Sequence, residues 1–346
     1  MKQSKHMGNN SFTESEISKF KEVSYKLGKN PSLVQAAGGN TSIKSDKSML
    51  IKASGTWLIN SLNKDIFVEV NLPSINQKIS NEHDDSFEED IISKNNLRPS
   101  LETSFHALIN YKYVLHVHST ATIANAISSD SKNELEKQIN EDFIFVPYYR
   151  PGFTLTMGIK KLIKPEIKIF ILENHGLIVA GDDIEETYNL LLNIHNKLDK
   201  TRNNKFTNLE VTEDLEIENY YLKNTEKYRL FMSPDENLYS LFSKSFYPDH
   251  VIFLGPGIPT FVEKSQAEKF IGNLKIKNLP LPPYFIIKSK GLFENSSAIP
   301  AAKEMMDCFL EVLLKVDLSH SLKFLSSEQE NELLNWDVEK YRQSIN

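Results

Sequence analysis

The chain has 346 residues, of which 40% are hydrophobic and 25% charged, a composition typical of globular proteins that bury a sizeable core. Its 46 acidic and 40 basic residues give a net charge of -6, which excludes a basic surface field that attracts nucleic acid. No apolar run approaches the roughly 18 residues that span a bilayer, and the N-terminal segment lacks the apolar stretch of a secretory signal. The single cysteine, Cys308, excludes an internal disulfide. We therefore expect a cytoplasmic protein without membrane or nucleic-acid partners, in which His, Asp or Glu would hold any metal.

The first third of the chain predicts one helix followed by short strands. Residues 1–12 are polar and predicted to be mobile. Thr13 and Glu16 form a capping-box pattern before an apolar stripe that ends near "GKNP". Strands are predicted around "TSIKS", "MLIKAS" and "IFVEV". The polar and charged residues 76–96 predict a solvated loop.

From residue 100 the pattern becomes that of an α/β protein. A helix is predicted over "SLETSFHALI", a strand over "YVLHVH" and a helix over "TATIANAI". The stretch "KIFILENHGLIVAGDD" predicts two strands joined at an Asn-His-Gly corner, and an amphipathic helix follows it. Residues 199–210 are polar and predict a linker. The remainder alternates between helices and short strands such as "HVIFLG" and "PYFIIKSKGLF".

Two histidines occupy alternate positions of an otherwise apolar strand. Side chains at i and i+2 of a strand project from one face, so His116 and His118 could share a metal ion or could simply lie on a wet face. His175 is the natural third ligand, because Gly176 after it allows a close backbone approach; a turn with a hydrogen-bonded histidine is the alternative. Three neutral histidines and an open position are a standard arrangement for a catalytic divalent metal.

Glu102 is the carboxylate of interest. It falls in the predicted first turn of a helix, where the macrodipole favours an ionised acid. It is therefore either a helix-start glutamate or an acid/base residue beside a metal. His106 occurs within a helical pattern, which favours a packed or hydrogen-bonded role over ligation. His195 lies on a long predicted helix, which favours a solvated or capping role.

Two turns of small residues lie on neighbouring predicted strands, at Gly38–Ser42 and Ser54–Thr56. Such turns expose backbone N–H groups and hydroxyls, which can surround a phosphate without any lysine. No Gly-Lys-Ser/Thr follows, so neither turn is a Walker loop.

Five motifs together resemble the class II aldolase/adducin family: "GGNTSIK", "KASGTWL", "RPSLET", "VLHVHSTA" and "ENHGLIVAGDDIEET" occur in the family's order. The sequence around the first three motifs is most similar to the aldolase part of bifunctional rhamnulose-1-phosphate aldolase/alcohol dehydrogenases. The resemblance covers roughly residues 15–200. It implies an α/β/α fold around a mainly antiparallel sheet.

The resemblance also implies a set of site residues. It implies zinc, or another divalent metal, on His116, His118 and His175, with Glu102 as the acid/base. It places the substrate phosphate at four further positions, Asn40, Ser54, Gly55 and Ser100. Leu101 stands where the family often has a second hydroxyl residue. Tyr148 and Tyr149 are candidates for a tyrosine near the active site, although aromatic packing is the alternative.

The resemblance implies a zinc-dependent lyase that cleaves a ketose 1-phosphate to dihydroxyacetone phosphate and an aldehyde. Retro-aldol cleavage leaves a carbanion next to a carbonyl, and a Lewis acid stabilises that charge. Alternatives are a sugar-phosphate dehydratase or 4-epimerase on the same metal site, or a non-catalytic adducin-like assembly module. A homo-oligomer, tetramer or dimer, is the expected assembly.

Residues 13–205 are expected to form the metal-binding domain and residues 211–346 a smaller C-terminal α/β domain. The stretch from Phe285 runs parallel to the stretch from Phe170, which predicts that the second domain is a degenerate repeat of the first. On that alignment His175 corresponds to Lys290, so we expect no second metal site. A silent repeat would shape or cover the substrate entrance.

Overall fold

The computed structural model describes residues 12–83, 87–203 and 217–337. The predicted mobile N-terminus lies almost entirely outside the described residues, as does most of the predicted linker. No helix in the described ranges combines the length and apolar character needed to cross a membrane.

A seven-stranded sheet forms the centre of the first part of the chain. Its strands lie in the order β3-β2-β1-β4-β7-β6-β5, and neighbouring strands are antiparallel except for the parallel pair of β5 and β6. The prediction of a mainly antiparallel central sheet is confirmed. The strands are β1 (Asn40–Lys44), β2 (Ser48–Lys52), β3 (Phe67–Asn71), β4 (Tyr113–Val117), β5 (Phe143–Val146), β6 (Ile169–Leu172) and β7 (Gly176–Gly181).

Helices cover both faces of this sheet. One face packs on α1, α4 and α7 through residues such as Phe20, Ala121 and Ile194, and the other packs on α2, α3 and α6 through Ile75, Phe105 and Ile159. The α/β/α arrangement expected from the sequence is therefore present. The helices are α1 (Glu14–Gly28), α2 (Leu72–Ser80), α3 (Thr103–Leu108), α4 (Thr120–Ala126), α5 (Ser131–Gln138), α6 (Phe153–Leu162) and α7 (Ile184–Leu198).

The loop predicted for residues 76–96 is wrong in its first part, where α2 continues to Ser80. The Asn71 side chain caps α2 by accepting from the Ser74 N–H, and Ile75 and Ile79 bury one side of the helix. Two apolar residues on one side are a weak helix signal in a charged stretch of sequence. They stabilise a helix here because the residue at the end of the preceding strand caps it.

A four-stranded sheet organises the second part. Its order is β8-β11-β10-β9, with β9 parallel to β10 and the other pairs antiparallel. The strands are β8 (Tyr220–Leu222), β9 (Thr260–Phe261), β10 (Tyr284–Ile287) and β11 (Gly291–Asn295). The helices are α8 (Glu236–Leu241), α9 (Pro248–Leu254), α10 (Lys264–Ile276), α11 (Pro300–Lys315) and α12 (Ser327–Leu334).

The second sheet has the same neighbours and directions as β4-β7-β6-β5 of the first. The register also agrees, because Leu172 pairs with Gly176 across one corner and Ile287 with Gly291 across the other. That the second part is a degenerate copy of the first stays a prediction, which this correspondence supports.

The strand predicted at "HVIFLG" is wrong, because this stretch is the helix α9. All seven residues of α9 are buried, so its sequence lacks the polar face that would have marked a helix. The helix packs into a core that joins both parts of the chain: Ile123 of α4 and Ile127, the residue after that helix, lie in one cluster with Val251 and Phe309.

Candidate metal centre

Strand pairing brings the predicted ligands together at one end of the first sheet. His116 lies in β4 between Asn40 of β1 and Ile178 of β7, and His118 follows the last residue of the same strand. His175 lies in the three-residue turn between β6 and β7. A Cβ on Gly176 would lie 2.3 Å from the Val117 carbonyl oxygen, so only glycine lets this turn approach β4.

The three imidazoles form one buried cluster. Their ring centroids are 4.9 to 5.1 Å apart. One potential ligand atom from each ring lies within 4.8 Å of the others, and no other group of three such side chains occurs among the described residues. Burial and the neighbouring His118 lower the pKa of His116 well below its ordinary value, and burial lowers the pKa of His175 to about 3. Both rings are therefore neutral near pH 7, the form that binds metal.

Several buried polar atoms at this cluster have no hydrogen-bond partner among the described residues. They are His116 Nε2, His175 Nδ1 and Glu102 Oε1. Buried polar atoms are usually hydrogen-bonded, and an unmet one costs about 1–3 kcal/mol. A divalent cation satisfies several such acceptors at once, so the residues present fit a metal ion.

Glu102 faces the histidines and does not cap a helix. It occupies the N-cap position of α3 rather than the predicted first turn, and its side chain makes no capping hydrogen bond. Its Oε2 lies 3.5 Å from His116 Nε2 and its Oε1 lies 3.6 Å from His175 Nε2. The helix-start interpretation therefore does not account for the position of this carboxylate.

A chain of hydrogen bonds fixes the orientation of Glu102. The Asn40 amide donates to Glu102 Oε2 over 2.8 Å and to Ser100 Oγ over 3.2 Å. The amide oxygen of Asn40 contacts His106 Nε2, while His106 Nδ1 lies 2.7 Å from Ser42 Oγ. Burial lowers the pKa of His106 well below its ordinary value, so the ring is neutral and one of its two nitrogens accepts. His106 is thus hydrogen-bonded within the fold, as the sequence suggested.

The other histidine assigned a structural role also lies away from the cluster. His195 Nδ1 lies 2.8 Å from Ser119 Oγ, and its Nε2 lies 3.9 Å from Asp199. The solvated or capping role expected for it is replaced by a buried hydrogen bond between α7 and the start of α4.

A pocket with an empty volume of about 380 Å³ opens beside the histidines. The structure places all four residues of the predicted phosphate site in its lining: Asn40, Ser54, Gly55 and Ser100. The Ser54 hydroxyl is buried and has no hydrogen-bond partner among the described residues. Because Asn40 and Ser100 also hold Glu102, their contact with a phosphate stays a prediction.

Two charged residues of the pocket lining, Lys52 and Asp249, were not predicted from the sequence. Lys52 is buried and its ammonium donates to the carbonyl oxygens of Ala37 and Thr56, which ties the two glycine-containing turns together. That these turns could surround a phosphate without any lysine stays a prediction, although a lysine lines the same pocket. The signal available was the position of Lys52 directly before "ASGT" at a strand end.

Neither tyrosine candidate lines this pocket. Tyr148 packs against the core of the second part, and burial raises the pKa of its hydroxyl. The ring of Tyr149 packs over Gly158 of α6, where an added Cβ would lie 2.4 Å from ring atoms. Aromatic packing accounts for both residues in this chain.

Two known proteins are similar in sequence to parts of this chain. The uncharacterized oxidoreductase YuxG of Bacillus subtilis is 29% identical over 202 residues, which are 54% of this chain and 29% of that protein. The 3-oxo-tetronate 4-phosphate decarboxylase of Escherichia coli O6:H1 is 28% identical over 105 residues, which are 27% of this chain and 50% of that protein. The chain thus spans half or less of the length of both relatives.

A solved structure, the N-terminal class II aldolase domain of a conserved protein from Thermoplasma acidophilum, is 24% identical with a TM-score of 0.49. The similarity covers 56% of this chain and 97% of that one. The sequence profile described as Class II Aldolase and Adducin N-terminal domain matches residues 21–198, which contain all the predicted site residues. Because this match spans just over half of the chain, the chain belongs to the class II aldolase and adducin N-terminal domain family.

Proposed function

We propose that this protein is a metal-dependent lyase that breaks the bond between the α and β carbons of a carbonyl group in a small phosphorylated sugar. The observation that carries the proposal is the buried cluster of three histidines with Glu102 3.5 and 3.6 Å from two of them. The specific reaction we propose is retro-aldol cleavage of a ketose 1-phosphate to dihydroxyacetone phosphate and an aldehyde, with Zn²⁺ as the metal.

Different residues of the chain have different roles in the proposed reaction. A divalent cation held by His116, His118 and His175 would supply Lewis-acid stabilisation of the negative charge that develops beside the substrate carbonyl. Glu102 would give or take the proton at the adjacent carbon, because the residue lines the same pocket and its Oε1 carries no hydrogen bond. Asn40 keeps the other carboxylate oxygen in place through its 2.8 Å hydrogen bond.

The proposal places the substrate phosphate in the same pocket. Ser54, Gly55 and the Gly38-Gly39 turn offer a hydroxyl and backbone N–H groups, and Lys52 adds a positive charge behind them. Gly55 has a φ of 72°, a conformation in which a residue with a side chain would be strained.

A second candidate is decarboxylation of a phosphorylated 3-oxo sugar acid. The similarity to a relative named 3-oxo-tetronate 4-phosphate decarboxylase favours it. Both reactions leave a carbanion beside a carbonyl, so the same metal and the same phosphate-binding residues would serve either. Dehydration, 4-epimerisation and an adducin-like assembly role are the remaining alternatives.

The test is metal analysis of the purified protein followed by a substrate screen. We expect about one divalent ion per chain and release of dihydroxyacetone phosphate from a ketose 1-phosphate. Carbon dioxide from a 3-oxo sugar-acid phosphate would select the second candidate. Absence of bound metal after reconstitution, with no rate above background on either class, would refute the lyase proposal.

The ligand assignment has its own variants. His116→Ala and His175→Ala should abolish metal retention while the protein stays folded, whereas Glu102→Gln should retain the metal and lose proton exchange at carbon. Release of metal by Glu102→Gln would instead make Glu102 a ligand. His83→Ala, at an exposed position, is the matched control and should change neither property.

The proposal extends to assembly. We propose a homo-oligomer, most simply a dimer or tetramer, on the strength of the family resemblance alone. A monomer in light scattering at micromolar concentration would contradict it.

A further inference from the structure

The second part of the chain contributes a carboxylate to the histidine cluster of the first part. Asp249 lies in the first turn of α9, is buried, and lines the same pocket as His118 and His175. Its Oδ2 lies 3.2 Å from His118 Nδ1. About 130 residues of sequence separate the two side chains, so only the packing of α9 against the first part brings them together.

Gly38 packs closely against the contact between His118 and Asp249. A Cβ at that position would lie 2.7 Å from His118 Nδ1 and 3.0 Å from Asp249 Oδ2. The glycine turn thus approaches both polar atoms closely enough that no side chain fits between them. The pair is therefore a packed contact and not a solvent-exposed ion pair.

An imidazole that binds a metal through one nitrogen carries a proton on the other, and the partner of that proton fixes the tautomer and the ring orientation. His116 shows this arrangement with a backbone partner, because its Nδ1 lies 3.1 Å from the Leu177 carbonyl oxygen and its Nε2 is left without a hydrogen bond. Asp249 stands in the corresponding position at His118.

We infer that Asp249 is the positioning residue of His118: it accepts the Nδ1 proton and directs Nε2 toward the metal. The inference rests on the proposed metal site. It gives the second part of the chain a defined task at that site, since α9 carries the carboxylate.

The experiment compares Zn²⁺ affinity, measured by competition with a chelator, in wild-type protein, Asp249→Ala and Asp249→Asn. We expect Asp249→Ala to weaken Zn²⁺ binding about 10- to 100-fold, the range for removal of such a partner. Asp249→Asn should lose less, because its amide oxygen still accepts from Nδ1. Asp307→Asn is the matched control: its carboxylate contacts Lys227 and Tyr228 elsewhere in the second part, and its affinity should equal that of wild type.

Two further readouts separate positioning from other roles. The visible spectrum of the Co²⁺-substituted Asp249→Asn variant should match that of wild type, because the number of ligands is unchanged; an altered spectrum would make Asp249 a direct ligand and overturn the inference. In metal-free protein, a double-mutant cycle of Asp249→Ala with His118→Ala, read by thermal unfolding, should show coupling between the two residues, because each substitution removes the contact. Additive effects would overturn the contact itself.

The outcomes distinguish this inference from the function on which it rests. If wild-type protein binds Zn²⁺ and both Asp249 variants bind it equally well while folded, the positioning role is wrong and the metal site stands. If wild-type protein binds no metal, the proposed function fails, and the metal-free cycle still decides whether Asp249 and His118 interact.

Discussion

His250 should make the protein sensitive to acid, and replacing it should remove a measurable part of that sensitivity. The ring lies in α9, next to Phe246 and 4.6 Å from the ring centroid of Phe309. Neither ring nitrogen has a hydrogen-bond partner among the described residues. Burial alone lowers the pKa of His250 to about 3.

The sign and size of the effect follow from this pKa. The ordinary histidine pKa of 6.5 applies to the unfolded chain, so as pH falls the unfolded chain takes up a proton that the folded protein does not. The stability that depends on neutral His250 is therefore present above about pH 6.5 and is lost progressively as pH falls toward 3. Between about pH 7 and about pH 5 the loss for one such histidine is about 2 kcal/mol.

His250→Leu keeps a similar volume and removes the titrating group. The free energy of unfolding is measured by urea titration at about pH 7 and at about pH 5. Between these two pH values we expect the stability of His250→Leu to fall by about 2 kcal/mol less than the stability of wild type. At the higher pH it should be equal to or above wild type, because two unmet polar atoms are gone. His83→Leu, at an exposed position, should follow wild type. An unchanged pH dependence in His250→Leu, or a large loss of stability at about pH 7, would refute the reasoning.

Further substitutions test the pocket lining at Gly38 and Lys52 and the turn beside His175 at Asn174. Gly38→Ala places a methyl group 2.7 Å from His118 Nδ1. We expect it to lower the free energy of unfolding, measured by thermal unfolding, by about 1–3 kcal/mol and to weaken metal binding. Lys52→Met leaves two loop carbonyls without their donor, so we expect a loss of about 1–3 kcal/mol and weaker binding of inorganic phosphate by calorimetry. Asn174→Ala removes two hydrogen bonds from a residue with a φ of 54° and should cost about 2–4 kcal/mol in urea unfolding, while Asn174→Gly, which tolerates that φ, should cost less.

Local sequence signals predicted most of the first part. The capping box of Thr13 and Glu16 forms as expected, with both reciprocal hydrogen bonds. The alternation around His116 predicted a strand, and the Asn-His-Gly corner predicted the turn between β6 and β7. These features depend on neighbours within a few residues, which is why the sequence alone reveals them.

The errors occur where tertiary packing overrides a local pattern. The residues of α9 are all buried, Asp249 and His250 included, so their pattern shows no exposed polar face that would mark a helix. Lys52 and Asp249 were missed for a related reason. A buried lysine or aspartate is unusual, and its partners lie in other segments of the chain, so only the assembled fold shows that the two residues share a pocket.

The contacts of the second part fall on the turns that build the candidate metal centre. Besides Asp249 at His118, the Asn174 amide beside His175 donates to the carbonyl oxygens of Phe246 and Lys323 over 2.8 and 3.0 Å. Glu304 of α11 accepts from the Ala36 N–H, at the start of the glycine turn. A module that only covered an entrance would need contacts at the rim, whereas these contacts set backbone and side-chain positions within the centre. The second part therefore belongs to the structural frame of the site, and changes that loosen α9 or the Lys323 segment should weaken metal binding even though they alter no ligand.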